Sequence, residues 1–162
     1  LALAAPMLGW FSDKLKRRCL LLRAASALGL IVSLILLYVP DLPLWMNYGL
    51  MFFFGVAAAG QILSFALVKD NNRPSVTSTA IGLNNMANVA GGAIFQPLVG
   101  AMLSKGWDGT SVNGVPVYAV ADYSVALCVV PLCFLVGLIM SSFFIKETYC
   151  EPKYDPYEDS LL

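Results

Sequence analysis

Asn84, Asn85 and Asn88, with Gln96 further along and Gln61 upstream, are the residues of this sequence best suited to touch a polar solute. A carboxamide offers donors and acceptors without carrying a charge. These five stand in runs that are otherwise mostly Ala, Gly, Val, Ile, Leu and Met, so a neighbour or a ligand must satisfy them. On a helix turning about 100° per residue, with Asn84 as zero, Thr77 falls at about 20°, Asn88 at about 40°, Gly92 at about 80°, Asn85 at about 100° and Gln96 at about 120°. They share one face. Two chemistries fit such a stripe: contact with a polar solute, or hydrogen bonds between helices that Gly82, Gly91, Gly92 and Gly100 allow to approach closely. Three carboxamides within five positions exceed what one helix contact uses, which favours solute contact. Gln61 follows the small residues Ala57, Ala58, Ala59 and Gly60, a composition that more often marks a packing seam.

A second constellation reads Gly9-Trp10-Phe11-Ser12-Asp13-Lys14-Leu15-Lys16-Arg17-Arg18, an acid followed by a basic cluster between two apolar runs. Charge alone makes it a topological anchor. Other chemistry is scarce. The chain has no histidine, its four cysteines lie at no metal-ligand or disulfide spacing, and no nucleophile stands beside a base. The sequence therefore points to no catalytic residue, no metal site and no cofactor.

The elements that must position these residues are set by composition. With 59% hydrophobic and 12% charged residues and a mean hydropathy of +0.74, the 162-residue chain has too little polar surface to coat a soluble globule. It belongs in a lipid bilayer. A hydrocarbon core of about 30 Å takes roughly 20 apolar residues per helical crossing. Runs of that kind predict full helices over 19–39, 44–68, 75–104 and 123–145. A shorter stretch over 1–11 is expected to be a partial helix, the end of a crossing begun upstream, which makes the chain a fragment. The fold class is an all-α integral membrane bundle over 1–145, and the acidic, Tyr- and Pro-rich stretch 146–162 is expected to be a disordered tail. Asp108-Gly109 and Asn113-Gly114 mark turns of a small hairpin between the last two full helices.

Nine of the ten basic residues cluster at one end: Lys14, Lys16, Arg17, Arg18 and Arg23, then Lys69 and Arg73, then Lys146 and Lys153. Lys105 alone falls at the other. Because Lys and Arg are retained on the cytoplasmic side, that end and the C-terminus are expected to be cytoplasmic. Arg23, one turn inside its helix, reads as a snorkelling interfacial residue. The formal net charge of zero and the absence of a soluble basic surface point away from nucleic acid.

The order of residues in the basic connection is more specific than its charge. Gly9, Ser12, Asp13, Lys14, Arg17 and Arg18 match, position by position, a pattern that resembles the signature of the major facilitator superfamily. That family usually has a second glycine just before the paired basics, where this chain has Lys16. The stretch from Ala80 to Gly100 also looks like the eleventh helix of bacterial members. With four crossings and a polar tail after the signature, the resemblance implies the C-terminal half, from the end of helix 8 through helix 12, in a bacterial inner membrane. It further implies the missing N-terminal helices of the same protein as partners, and a conformational gating role for the motif. Asp13 is expected to contact the helix start at 74–77, where free N–H groups carry partial positive charge.

What the resemblance implies about function is secondary transport by alternating access. The carboxamides suggest a small polar solute, with H+ or Na+ as a possible coupling ion. A non-transporting membrane sensor or assembly partner that keeps the fold is the alternative. Neither reading is enzymatic.

Overall fold

The computed structural model describes residues 4–112 and 114–154. The chain runs through α1 (Ala4–Leu15), α2 (Arg18–Tyr38), α3 (Leu44–Ala59), α4 (Gln61–Asn71) and α5 (Pro74–Gly106), then a hairpin of β1 (Ser111–Val112) and β2 (Val115–Pro116), and finally α6 (Val120–Ala126) and α7 (Val129–Phe143). Four segments are long and apolar enough to cross a membrane: α2, α3 with α4, α5, and α6 with α7. The architecture is all-helical apart from the two-residue strands, which pair antiparallel with Val112 opposite Val115.

Two of the crossings are interrupted, each for a local reason. Between α3 and α4 the chain tightens at Gly60, where its N–H bonds to Ala57 O at 3.0 Å and its carbonyl accepts from Leu63 N–H at 3.0 Å. These are tight three-residue turns. A Cβ at Gly60 would lie 2.6 Å from the Ala25 Cβ, so α2 packs tightly against the break. Between α6 and α7, Pro131 lacks the N–H that would bond to Leu127 O, and Val130 N–H takes that carbonyl at 2.9 Å instead.

α2 is the central element, packed against α7, α3, α4 and α1. Its buried residues Ala25, Ser26, Gly29, Val32 and Ser33 recur at the spacing of one helical face and are nearly all small. Small side chains let backbones approach where lipid supplies no hydrophobic drive. At Gly29 a Cβ would collide with the Phe134 ring of α7, and that ring meets Phe54 of α3 edge-on at 5.8 Å. One aromatic thus locks three helices together.

α5 is different. It runs for 33 residues, about 50 Å at 1.5 Å per residue, touches mainly α4 and α6, and buries none of its residues.

Two sequence expectations change. α1 continues through Leu15, so Ser12, Asp13 and Lys14 form its last turn and only Lys16 and Arg17 make the connection. Lys16 sits at φ 50°, in the left-handed region. Arg23 reaches toward the basic end and donates to the carbonyls of Ser141 at 2.9 Å and Ser142 at 3.5 Å, acceptors left open at the end of α7. The second change is in the tail. Residues 146–154 run across the basic end of the bundle in turns that hydrogen-bond to α2 and α4, while 155–162 lie outside the described residues.

Candidate functional site

The basic end gathers the first candidate set around Arg18. Its guanidinium lies 3.4 Å from Asp13 Oδ1 at the end of α1 and 3.3 Å from Asp70 Oδ2 at the end of α4. Its Nε donates to Cys150 Sγ at 3.2 Å. The two acids differ in exposure, Asp70 at 6% against Asp13 at 71%. Removing one partner of a buried pair costs about 3–5 kcal/mol, whereas an exposed pair contributes about 0–1 kcal/mol. Asp70 is therefore the partner that matters to Arg18. Asp70 is held in turn, its Oδ2 accepting from Thr148 Oγ1 at 3.0 Å and its carbonyl from Lys153 N–H at 2.8 Å.

Glu147 closes the set from the other side. Its carboxylate accepts from the backbone N–H groups of Arg18 at 2.8 Å, Cys19 at 3.0 Å and Leu20 at 3.3 Å. Those are the first three donors of α2, which have no acceptor within the helix, and an anion there also meets the positive end of the helix dipole. α2 lacks a side-chain cap of its own at Arg17, and the tail supplies one from 129 positions away. Ser12, only 2% exposed, explains the need for a small residue at its place in the motif. Its carbonyl faces Cys150 Sγ at 3.6 Å, so the tail turn passes directly over it.

Asp13 pairs with Arg18, one of the two basics expected close beside it together with the start of α5, and no hydrogen bond or ion pair of Asp13 among the described residues reaches 74–77. Asp70, Glu147 and Cys150 were absent from the candidates drawn from sequence. The signal available was position, since Asp70 and Glu147 each stand at the basic end of an apolar run, where acids are few. Gly9 and Lys14 contribute differently. Gly9 has open space around it, and Lys14 Nζ lies 4.9 Å over the Trp10 ring rather than in the cluster.

The carboxamides separate into two groups. Asn84 donates to Ser64 Oγ of α4 at 3.1 Å, and Ser64 Oγ donates onward to Gln61 O at 2.7 Å. Asn84, Asn88 and Gln61 line one open cavity of about 560 Å³, together with Phe95 of α5 and Phe134 and Cys133 of α7. The Asn88 Nδ2 is buried there without a hydrogen-bond partner among the described residues. Asn85 and Gln96 lie on the exposed side of α5, in keeping with their offset of about 100–120° from Asn84. The stripe is thus an edge: one margin faces α4 and the other is open. No cluster of three or more His, Cys, Asp or Glu among the described residues could hold a metal ion.

Apart from Cys150 and Lys153, the residues of both regions lie within a stretch matched by a known family. The family model for the Major Facilitator Superfamily covers residues 1–148 of the chain, from α1 through the tail residues Glu147 and Thr148. No curated protein and no solved structure matches the chain. Coverage of nearly the whole chain, over an all-helical bundle with four membrane-crossing segments, places this integral membrane protein in the Major Facilitator Superfamily, a family of secondary transporters of small molecules rather than enzymes.

Proposed function

We propose that the chain forms part of the C-terminal half, the end of helix 8 through helix 12, of a transporter that moves a small polar solute by alternating access, with the basic end in the cytoplasm of a bacterial inner membrane. The observation that carries this is α5, which is long enough to cross a membrane yet buries no residue and leaves Asn85 and Gln96 exposed. A carboxamide gains nothing from lipid, so that face belongs against a water-filled path and the N-terminal helices of the same protein. Asn85 and Gln96 would touch the solute from the open side, with Asn84, Asn88 and Gln61 at the inner margin.

In this reading the motif residues Gly9, Ser12, Asp13, Lys14, Arg17 and Arg18 belong to a gate at the cytoplasmic end. Arg18, Asp70 and Glu147 tie α2, α4 and the tail together, and opening that end requires the bundle to move as one body. No acid lies deep within a crossing of this chain, so a carboxylate that couples transport to H+ or Na+ would come from the other half.

The test is uptake of candidate polar solutes by the full-length protein in proteoliposomes, with and without a H+ or Na+ gradient. Gradient-dependent uptake that falls in an Asn85→Ala, Gln96→Ala variant of normal expression supports the reading. Flat uptake under every gradient, with the protein correctly inserted, supports a sensor or assembly partner instead.

A further inference from the structure

The cavity beside Asn88 continues toward the basic end. A second space of about 560 Å³ between α4, α5 and the tail shares Leu22, Ser64 and Asn84 with it, so the two form one passage. Four asparagines line that passage: Asn71, Asn72, Asn84 and Asn88. The first two donate to the carbonyls of Leu67 at 2.9 Å and Val68 at 2.8 Å, and Asn84 donates to Ser64 Oγ at 3.1 Å. Asn88 is the exception. Its Nδ2 is buried with no acceptor among the described residues, so whatever fills the cavity must supply one. The charges along the passage have one sign: Lys146 and Lys153 border the part at the basic end, and no acid among the described residues lines either part.

We propose that the passage recognises a carboxylate, in a solute whose carboxylate accepts from Asn88 Nδ2 and whose apolar body lies against Phe95 and Phe134. The inference rests on the transport reading for its site and names the chemical class of the solute. Three features select that class. A buried donor without a partner calls for an acceptor, and an ionised oxygen accepts more strongly than a neutral one. Two lysines and no acid raise the local concentration of anions and lower that of cations. Around Asn88 the walls are the rings of Phe95 and Phe134 with Ala25, Val129 and Val130, which match hydrocarbon and leave a polyhydroxylated body unpaired.

Unfolding midpoints of the full-length protein in detergent test the inference, because they report binding without requiring translocation. The probes are butyrate, hexanoate and benzoate, each with its neutral amide and its ammonium counterpart. At least one carboxylate should bind roughly tenfold or more tightly than both of its counterparts. Asn88→Ala should remove most of that preference, and Asn88→Asp should reverse it in favour of the ammonium compound. Lys146→Gln with Lys153→Gln should weaken carboxylate binding several-fold and reduce its dependence on salt. The inference is overturned if no carboxylate raises the midpoint, if an amide or ammonium compound binds as tightly, or if folded Asn88→Ala keeps the wild-type preference. Carboxylate binding without gradient-dependent uptake in proteoliposomes would leave the recognition standing and remove the transport reading. Gradient-dependent uptake with no preference for carboxylates would do the opposite.

Discussion

At the basic end Arg18, Asp70 and Glu147 each meet a partner within 3.4 Å, whereas α5 passes the length of the bundle without burying a residue. The two regions obey one rule with opposite outcomes. A charge removed from water must be matched inside the protein, so the basic end closes on itself with acids drawn from α4 and the tail. A polar face directed outward is matched only when water or more protein covers it, so α5 keeps its carboxamides on an open margin. The closed region is organised for stability and the open one for encounter.

The largest test of that contrast is Asp70→Ala, which leaves the 13%-exposed Arg18 side chain without its buried partner. It should cost about 3–5 kcal/mol, read as a lowered unfolding midpoint in detergent, while Asp13→Ala should cost about 0–1 kcal/mol. Equal losses would mean that the exposed acid shares the pairing equally. Glu147→Gln comes next. It keeps the shape of the cap but removes the charge at the α2 N-terminus, and a loss of about 1–2 kcal/mol is expected from the same measurement, diminished at high salt.

Lys16→Gly should move the midpoint in the opposite direction. A lysine at φ 50° occupies a conformation that glycine adopts without steric cost, and a gain of about 1 kcal/mol is expected. On the open side, Asn85→Ala and Gln96→Ala should change stability by less than about 0.5 kcal/mol, whereas Asn84→Ala, which breaks the bond to Ser64, should cost about 0.5–1.5 kcal/mol. Matching losses at Asn84 and Asn85 would remove the division of the stripe into two margins.

The smallest effect lies at the far end of the molecule, in the hairpin. Thr110 donates its backbone N–H to Asp108 Oδ1 at 2.9 Å and its hydroxyl to the same oxygen at 2.8 Å, which lowers the Asp108 pKa below the ordinary carboxylate value. A carboxylate with a depressed folded-state pKa stabilises fully above its unfolded value of about 3.9 and loses that contribution as pH falls through the folded value. Acidification below about pH 4 should therefore loosen the turn at Thr110, seen as faster amide exchange there. Asp108→Asn should remove this pH dependence.

Much of this was legible from local order alone. Crossing a bilayer demands about 20 apolar residues in a row, a requirement each segment meets or fails by itself, so composition and run length identified the membrane bundle and its four crossings. The signature from Gly9 to Arg18 identified the family for the same reason: a tight turn between two helices is specified by neighbours in the chain. Asn84 and Asn85 were recognisable as polar and intramembrane because hydropathy is a property of each residue. Only the tertiary structure decided their partners. Asp70 reaches Arg18 across two helices, and Glu147 reaches the start of α2 across most of the chain, and nothing in the local sequence encodes a contact between residues that far apart. Whether Asn84 turned toward Ser64 while Asn85 stayed open depended on how α5 lay against α4. Helical periodicity sets the angle between two side chains, and packing alone sets the direction in which that angle points.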